Sequence, residues 1–234
     1  MIKITKNLSQ IPASLLPAFP DFFPERIGTK LVPIPPKSKT THARRMDVIN
    51  AGAYTDKNTF NSRYKEDDIR NALLAIYKSK CVFCEQKVEQ YHIEHYRPKD
   101  IYYWLAFSWD NLLMACPTCN EHKGTSFDLS GTKVKFVNTE ANVRRINNSS
   151  ADYDAQEAPM LVNPEIDEPL GEIGFQKNGI IESENFRFAY TISQCQIDRI
   201  ALNDSRRELL DRFKEYVTSA LIEYQDTKDQ NTAI

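Results

Sequence analysis

Cys81-Val-Phe-Cys84 and Cys116-Pro-Thr-Cys119 decide the fold, together with the stretch His92-Ile-Glu-His-Tyr-Arg-Pro98 that runs between them. Four of the five cysteines lie in these two Cys-x-x-Cys turns. Each turn sets two sulfurs at the separation a tetrahedral ion requires and leaves backbone amides to stabilise the thiolates. Two turns close the coordination shell, so zinc held by Cys81, Cys84, Cys116 and Cys119 has no open position for water and its role is structural. Buried free thiols are the competing reading. The 31 residues between the pairs exceed what a compact zinc ribbon uses and leave room for a hairpin and a loop. Cys195 stands apart and reads as a small buried helix residue.

Three of the four histidines, His92, His95 and His122, fall between Cys84 and Lys123. With them come Glu94 beside His95, Asn111 before an apolar run, and Asn120 opening a helix directly after the second cysteine pair. These parts suffice for phosphodiester hydrolysis. A neutral His95 near the ordinary pKa of about 6.5 takes a proton from water. Glu94 and Asn120 offer hard oxygen ligands to Mg2+ or Mn2+, and the cation neutralises charge developing on the phosphate. Strand alternation points Glu94 and His95 to opposite faces, so this reading requires a bend there, with Pro98 ending regular pairing. Asn111 orients His95 or pins the loop. His92 reads as packing or zinc-site support sooner than as a catalyst. Arg97 and Lys99 are candidate phosphate contacts, against a surface ion pair with Asp100. His122 and Lys123, just inside the helix, touch phosphate or form a solvated face. Tyr102, Tyr103, Trp104, Phe107 and Trp109 are core or a stacking surface for bases.

The pattern resembles the HNH endonucleases over residues 81 to 127. Glu94-His95 match the family's acid-His pair, Asn111 in Trp109-Asp-Asn-Leu-Leu its middle Asn, and Asn120 in Cys116-Pro-Thr-Cys-Asn120 its final ligand. Asn stands at 120 where the most familiar pattern has His, and His122 is extra. The resemblance implies an α+β fold with a ββα-metal, treble-clef-like core. It further implies a metal-dependent endonuclease with structural Zn2+ and catalytic Mg2+ or Mn2+, in which His95, Glu94, Asn111 and Asn120 act on nucleic acid. Beyond the motif, Cys81-Val-Phe-Cys-Glu85, His92 to Lys99, Leu161-Val-Asn-Pro164, Thr191-Ile192 and Leu202-Asn203 resemble the HNH subunit of Septu-type anti-phage systems, also met with some retrons. That similarity implies an ATPase partner that restrains or directs the nuclease. DNA is favoured as substrate, with RNA such as tRNA the alternative. A non-catalytic zinc module binding nucleic acid or protein is the reading of a different class, and divalent-cation-dependent cleavage separates the two.

The remaining sequence sets the frame. The 234 residues carry a net charge of -2, unhelpful for a chain expected to grip polyanions. Basic charge is local: Arg26, Lys30, Lys37, Lys39, Arg44 and Arg45 surround Pro33, Pro35 and Pro36 without an acid. The longest apolar run, residues 101 to 107, falls short of the ~18 residues a membrane span needs, and paired thiols suit a reducing cytoplasm. Residues 1 to 80 read as an extended arm and a helix packing on the core, 81 to 127 as the HNH unit, and 128 to 234 as a small hairpin region with C-terminal helices, all in one globular unit. Ile69, Ala72, Leu73, Ile76 and Tyr77 space a helix over about 64 to 80. Val134 to Val137 reads as a strand. Lys177-Asn-Gly179 reads as a hairpin turn. Helices are expected over 191 to 201 and from a capping box Ser205-x-x-Glu208, the latter with the apolar face Leu209, Leu210, Phe213, Val217, Leu221 and Tyr224, fraying after Asp226. That face and Arg44 and Arg45 are the candidate partner contacts.

Overall fold

The helix read from Ile69, Leu73 and Tyr77 buries those three side chains, which sit between 0% and 2% exposed. At about 1.5 to 3 kcal/mol per buried large side chain, this stripe anchors the helix by tertiary packing more than by propensity. In the computed structural model, which describes residues 1–17 and 40–232, it spans Asp67–Tyr77 and follows a single 3-10 turn, Arg63–Lys65. Asp67 and Asp68 complement the positive helix start, and Lys78 ends it in the left-handed region (φ 51°).

In chain order the elements are α1 (Thr41–Ala51), α2 (Lys57–Phe60), α3 (Asp67–Tyr77), β1 (His92–His95), β2 (Leu112–Ala115), α4 (Pro117–Lys123), α5 (Glu140–Arg144), α6 (Ser150–Glu157), β3 (Gly174–Phe175), β4 (Ile181–Glu182), α7 (Phe186–Gln194) and α8 (Ile200–Thr232). β1 and β2 pair antiparallel, His92 opposite Ala115 and His95 opposite Leu112. α4 follows β2 at once, so a β-β-α unit forms the centre of a mixed fold of helices and small sheets. α3 packs against β2. The apolar core runs from Leu15 through Val48, Leu73, Phe83, Trp109, Leu112 to Met114, Val143 and Leu202. Tyr102, Trp104, Phe107 and Trp109 are all buried within it, and Trp104 stacks on Phe136 at 5.4 Å. The aromatic cluster is core.

Five expectations change. Residues 134 to 137 form no strand; the Val134 amide donates to Glu157 Oε1 at 2.8 Å and so has no need of a sheet partner. The helix expected over 191 to 201 is α7, ending at Gln194 with Cys195 wholly buried behind it. α8 begins at Ile200, which places Ser205 inside it: Ser205 Oγ donates to the Ala201 carbonyl at 2.9 Å and caps nothing. Leu202 is buried, whereas Leu209, Phe213, Leu221 and Tyr224 are 56 to 65% exposed, so the anticipated core face points outward. The helix also continues past Asp226 to Thr232.

The hairpin forms as read. β3 and β4 pair through a turn in which Gly179 takes φ +85°, and a Cβ there would strike the Asn203 backbone in α8. Residues 26 to 39 of the basic stretch lie outside the described residues. Arg45 is buried in α1 and donates to the Leu15 and Phe107 carbonyls, while Arg44 pairs with Asp47. Arg45 is therefore a structural residue and no candidate for meeting a partner. Among the described residues no helix is long and apolar enough to cross a membrane.

Candidate active site and metal centre

The second cysteine turn caps α4. Cys116 Sγ accepts the Cys119 amide, and Pro117, which needs no partner for a missing amide, opens the helix. The first turn lies beside it because the Val82 amide donates to the Met114 carbonyl on β2. All four cysteines are buried and free of disulfides, and their sulfurs lie within 4.8 Å of one another. A tetrahedron with ~2.3 Å Zn-S bonds has sulfurs about 3.8 Å apart. Cys84 and Cys116 stand at 3.9 Å, so the donor set fits zinc. Hydrogen bonds from Cys119, Cys81 and Cys84 hold the Cys116 thiol well below its usual range. One neighbour was missed from sequence: Arg199, just before α8, donates to Cys119 Sγ at 3.4 Å and approaches Cys84 Sγ at 3.9 Å. A lone Arg 80 residues from its partner leaves no spacing signal.

Beside the cysteines lies a cleft of about 490 Å³ lined by all four residues of β1, by Asn120 from α4, by Lys99, and by Tyr64, Lys65 and Arg70. β1 keeps its register through His95, so the bend expected at Glu94-His95 is absent. Even so, all four residues of β1 line the cleft.

His95 is 4% exposed and packs edge-on against the Tyr64 ring at 4.6 Å. Its Nε2 lies 2.9 Å from the Ala106 carbonyl, which only accepts; Nε2 therefore carries the proton and Nδ1 keeps its lone pair. Burial, then the positive charge of Lys99, pushes the imidazole down to about 3, far from the ordinary value expected from sequence. Glu94 is held from beneath by Lys123, whose Nζ donates to Glu94 Oε1 at 2.7 Å and to the His95 carbonyl at 2.9 Å. Asn120 Nδ2 donates to His92 Nδ1 at 3.0 Å, joining His92 to this group.

The other candidates fall elsewhere. Asn111 is fully buried: its Oδ1 accepts the Arg97 amide and its Nδ2 donates to the Arg97 and Leu105 carbonyls. It pins the loop whose next carbonyl, that of Ala106, fixes His95. Arg97 is buried and binds Glu157 at 2.9 Å and Asp154, which removes both the phosphate and the Asp100 readings. Lys123 is 0% exposed and lies under the cleft floor, neither solvated nor open to phosphate. His122 is exposed and does not line the cleft. Lys99 does, near the Tyr54 and Tyr64 rings at 5.6 and 6.0 Å, with burial lowering its pKa.

Among the described residues the cysteine quartet is the one group of three or more Cys, His, Asp or Glu side chains close enough to share an ion. The cleft offers instead the carboxylates of Glu89 and Glu94, the amides of Gln90 and Asn120, and the imidazoles of His92 and His95. A hard cation that keeps several waters, as Mg2+ does, suits such a set.

Residues 81–126 match the family model described as HNH endonuclease. This segment is similar to the HNH endonucleases. The matched segment includes both cysteine pairs, β1, β2 and α4. The chain is 33% identical over 136 residues to the Septu protein PtuB of Bacillus mycoides (strain KBAB4), a match covering 51% of this chain and 42% of that protein. It is 41% identical over 69 residues to the Septu protein PtuB of Bacillus thuringiensis, covering 28% and 27%. The matched part thus spans less than half the length of these curated relatives.

Proposed function

We propose that the protein is a metal-dependent endonuclease that hydrolyses phosphodiester bonds, DNA in preference to RNA such as tRNA, as the effector of a Septu-type anti-phage system. The observation that carries this reading is the convergence of His95, Glu94 and Asn120 on one cleft, with the His95 tautomer set by Ala106.

In this reading His95 Nδ1 accepts the proton of the attacking water. Burial holds the ring neutral at every physiological pH, so the acceptor form is always present. The entering phosphate brings negative charge beside the ring and favours the imidazolium as the proton arrives. Asn111 is a positioning residue that keeps the Ala106 carbonyl in place. Glu94 and Asn120 would hold Mg2+ or Mn2+, which would supply charge stabilisation for the phosphate and leaving oxygen, and His92 is joined to Asn120 by a hydrogen bond. Lys123 fixes the Glu94 carboxylate so that little reorganisation is needed. The four cysteines would hold Zn2+, which would tie the first turn to α4 and so keep Asn120 against β1.

An ATPase partner, as Septu-type resemblance implies, adds basic surface to a chain whose net charge is -2. The exposed apolar residues Phe213, Val217 and Leu221 of α8 suit that contact. A cytoplasmic location goes with the reduced thiols. The test is cleavage of DNA and RNA by the chain alone and with its ATPase, with and without chelator. His95→Ala should remove about 10² to 10⁴-fold of the cleavage while the protein stays folded. Cleavage that persists in the chelator, or indifference to His95→Ala, would leave a zinc module that binds without cutting.

A further inference from the structure

The cleft has a second wall, and two of its three cations lie outside the matched residues 81–126. Lys65 comes from the 3-10 turn Arg63–Lys65 and Arg70 from α3, both before Cys81, while Lys99 follows β1. Facing them are His92, Glu94, His95 and Asn120.

Charge in the cleft is unbalanced. Its acids are Glu89 and Glu94, and Glu94 is already neutralised from below by Lys123 at 2.7 Å. Lys65, Arg70 and Lys99 have no ion-pair partner among the described residues, although Lys6, Arg63, Arg97 and Arg187 all do. Lys65 and Arg70 are exposed, and their charges are free to meet a ligand. Lys65 and Lys99 line the same cleft as His95. In a concave site walled by protein, unpaired cations focus field onto an incoming anion.

We propose that Lys65, Arg70 and Lys99 form a phosphate-binding wall that grips the nucleic-acid backbone on either side of the bond facing His95. Lys99, held against two tyrosine rings, lies nearest the reacting phosphate, and Lys65 and Arg70 take its neighbours. The inference rests on the nuclease reading. It adds that the N-terminal part of the chain, not the matched segment alone, builds the substrate site.

The test uses the full-length chain carrying His95→Ala, so that substrate survives, and fluorescently labelled short single-stranded DNA and RNA. Binding anisotropy is followed from about 50 to 200 mM salt, where deleting one cation that meets a phosphate should lower the salt slope by about 0.7. Lys65→Ala and Arg70→Ala should each do so, together additively, with far-ultraviolet circular dichroism unchanged because both side chains are exposed. Lys135→Ala with Lys177→Ala, which removes the same charge from exposed positions outside the cleft, should leave the slope alone. An unchanged slope in the Lys65→Ala/Arg70→Ala protein, while metal-dependent cutting by the chain with His95 intact persists, overturns the wall and spares the nuclease. Absence of salt-dependent binding, together with absence of cutting even when the ATPase is added, removes the nuclease reading and the wall with it. A slope lowered on DNA and not on RNA, or the reverse, supports the wall and identifies the strand it grips.

Discussion

Replacing Arg97 by Met separates a structural arginine from a phosphate contact. The guanidinium is 0% exposed, donates through Nε to Glu157 Oε2 at 2.9 Å, and reaches Asp154 with its other end. Glu157 is also 0% exposed. Removing one partner of a buried pair typically costs about 3 to 5 kcal/mol, because the surviving charge is left uncompensated. Here the low end applies, since Glu157 Oε1 still accepts from Tyr102 at 3.0 Å and from the Val134 amide at 2.8 Å. For a chain of this length about 3 kcal/mol corresponds to a fall in Tm of roughly 6 to 12 °C. The assay is thermal and urea unfolding of Arg97→Met, Glu157→Gln and the double variant. The double variant should recover part of the stability, because neither partner is then stranded. Oligonucleotide binding by the folded Arg97→Met protein should match wild type. A destabilisation below about 1 kcal/mol combined with abolished binding would refute the structural role and restore the phosphate reading.

Cys116→Ser should release zinc and destabilise the β-β-α unit, since metal binding and folding are coupled; elemental analysis showing no zinc in the wild-type protein would end the assignment. Asn120→Ala and Glu94→Ala should weaken Mg2+ binding measured by calorimetry, with excess Mn2+ partly restoring it, and unchanged affinity in both would place the cation elsewhere. Acidification should destabilise the fold below about pH 6.5. His95 and His42 are pushed down to about 3 and about 4 by burial, so between those values and about 6.5 the unfolded chain binds more protons than the folded one. Stability then falls as the pH is lowered through this window, by up to about 1.4 kcal/mol per unit for a fully buried His. The exposed part of His42 is screened and contributes less. Urea midpoints between pH 7 and 5 should show a shallower slope in His95→Gln, and an unaltered slope would mean that the folded His95 titrates normally.

Much of this protein was determined by local sequence. The two Cys-x-x-Cys turns, the residues of β1 and the opening of α4 at Cys116-Pro117 follow from spacing and from the geometry of short turns. The stripe through Ile69, Leu73 and Tyr77 and the turn at Gly179 are equally local. Tertiary structure decided what each charged residue does. Arg97 and Lys99, two residues apart, read alike, yet one meets Glu157, 60 positions on, and the other faces the cleft. Lys123 read as an open helix end, and its partner Glu94 lies 29 residues away on β1. The His95 pKa depends on what covers the ring, above all Tyr64 and the Ala106 loop, and no property of His92 to Pro98 encodes that burial. The α8 stripe has core periodicity, but whether a stripe is covered depends on which surface lies opposite, and Leu209, Phe213, Leu221 and Tyr224 stay 56 to 65% exposed. Periodicity and ligand spacing are set by bonds a few residues long. Desolvation and charge pairing are set by whatever the rest of the chain brings alongside.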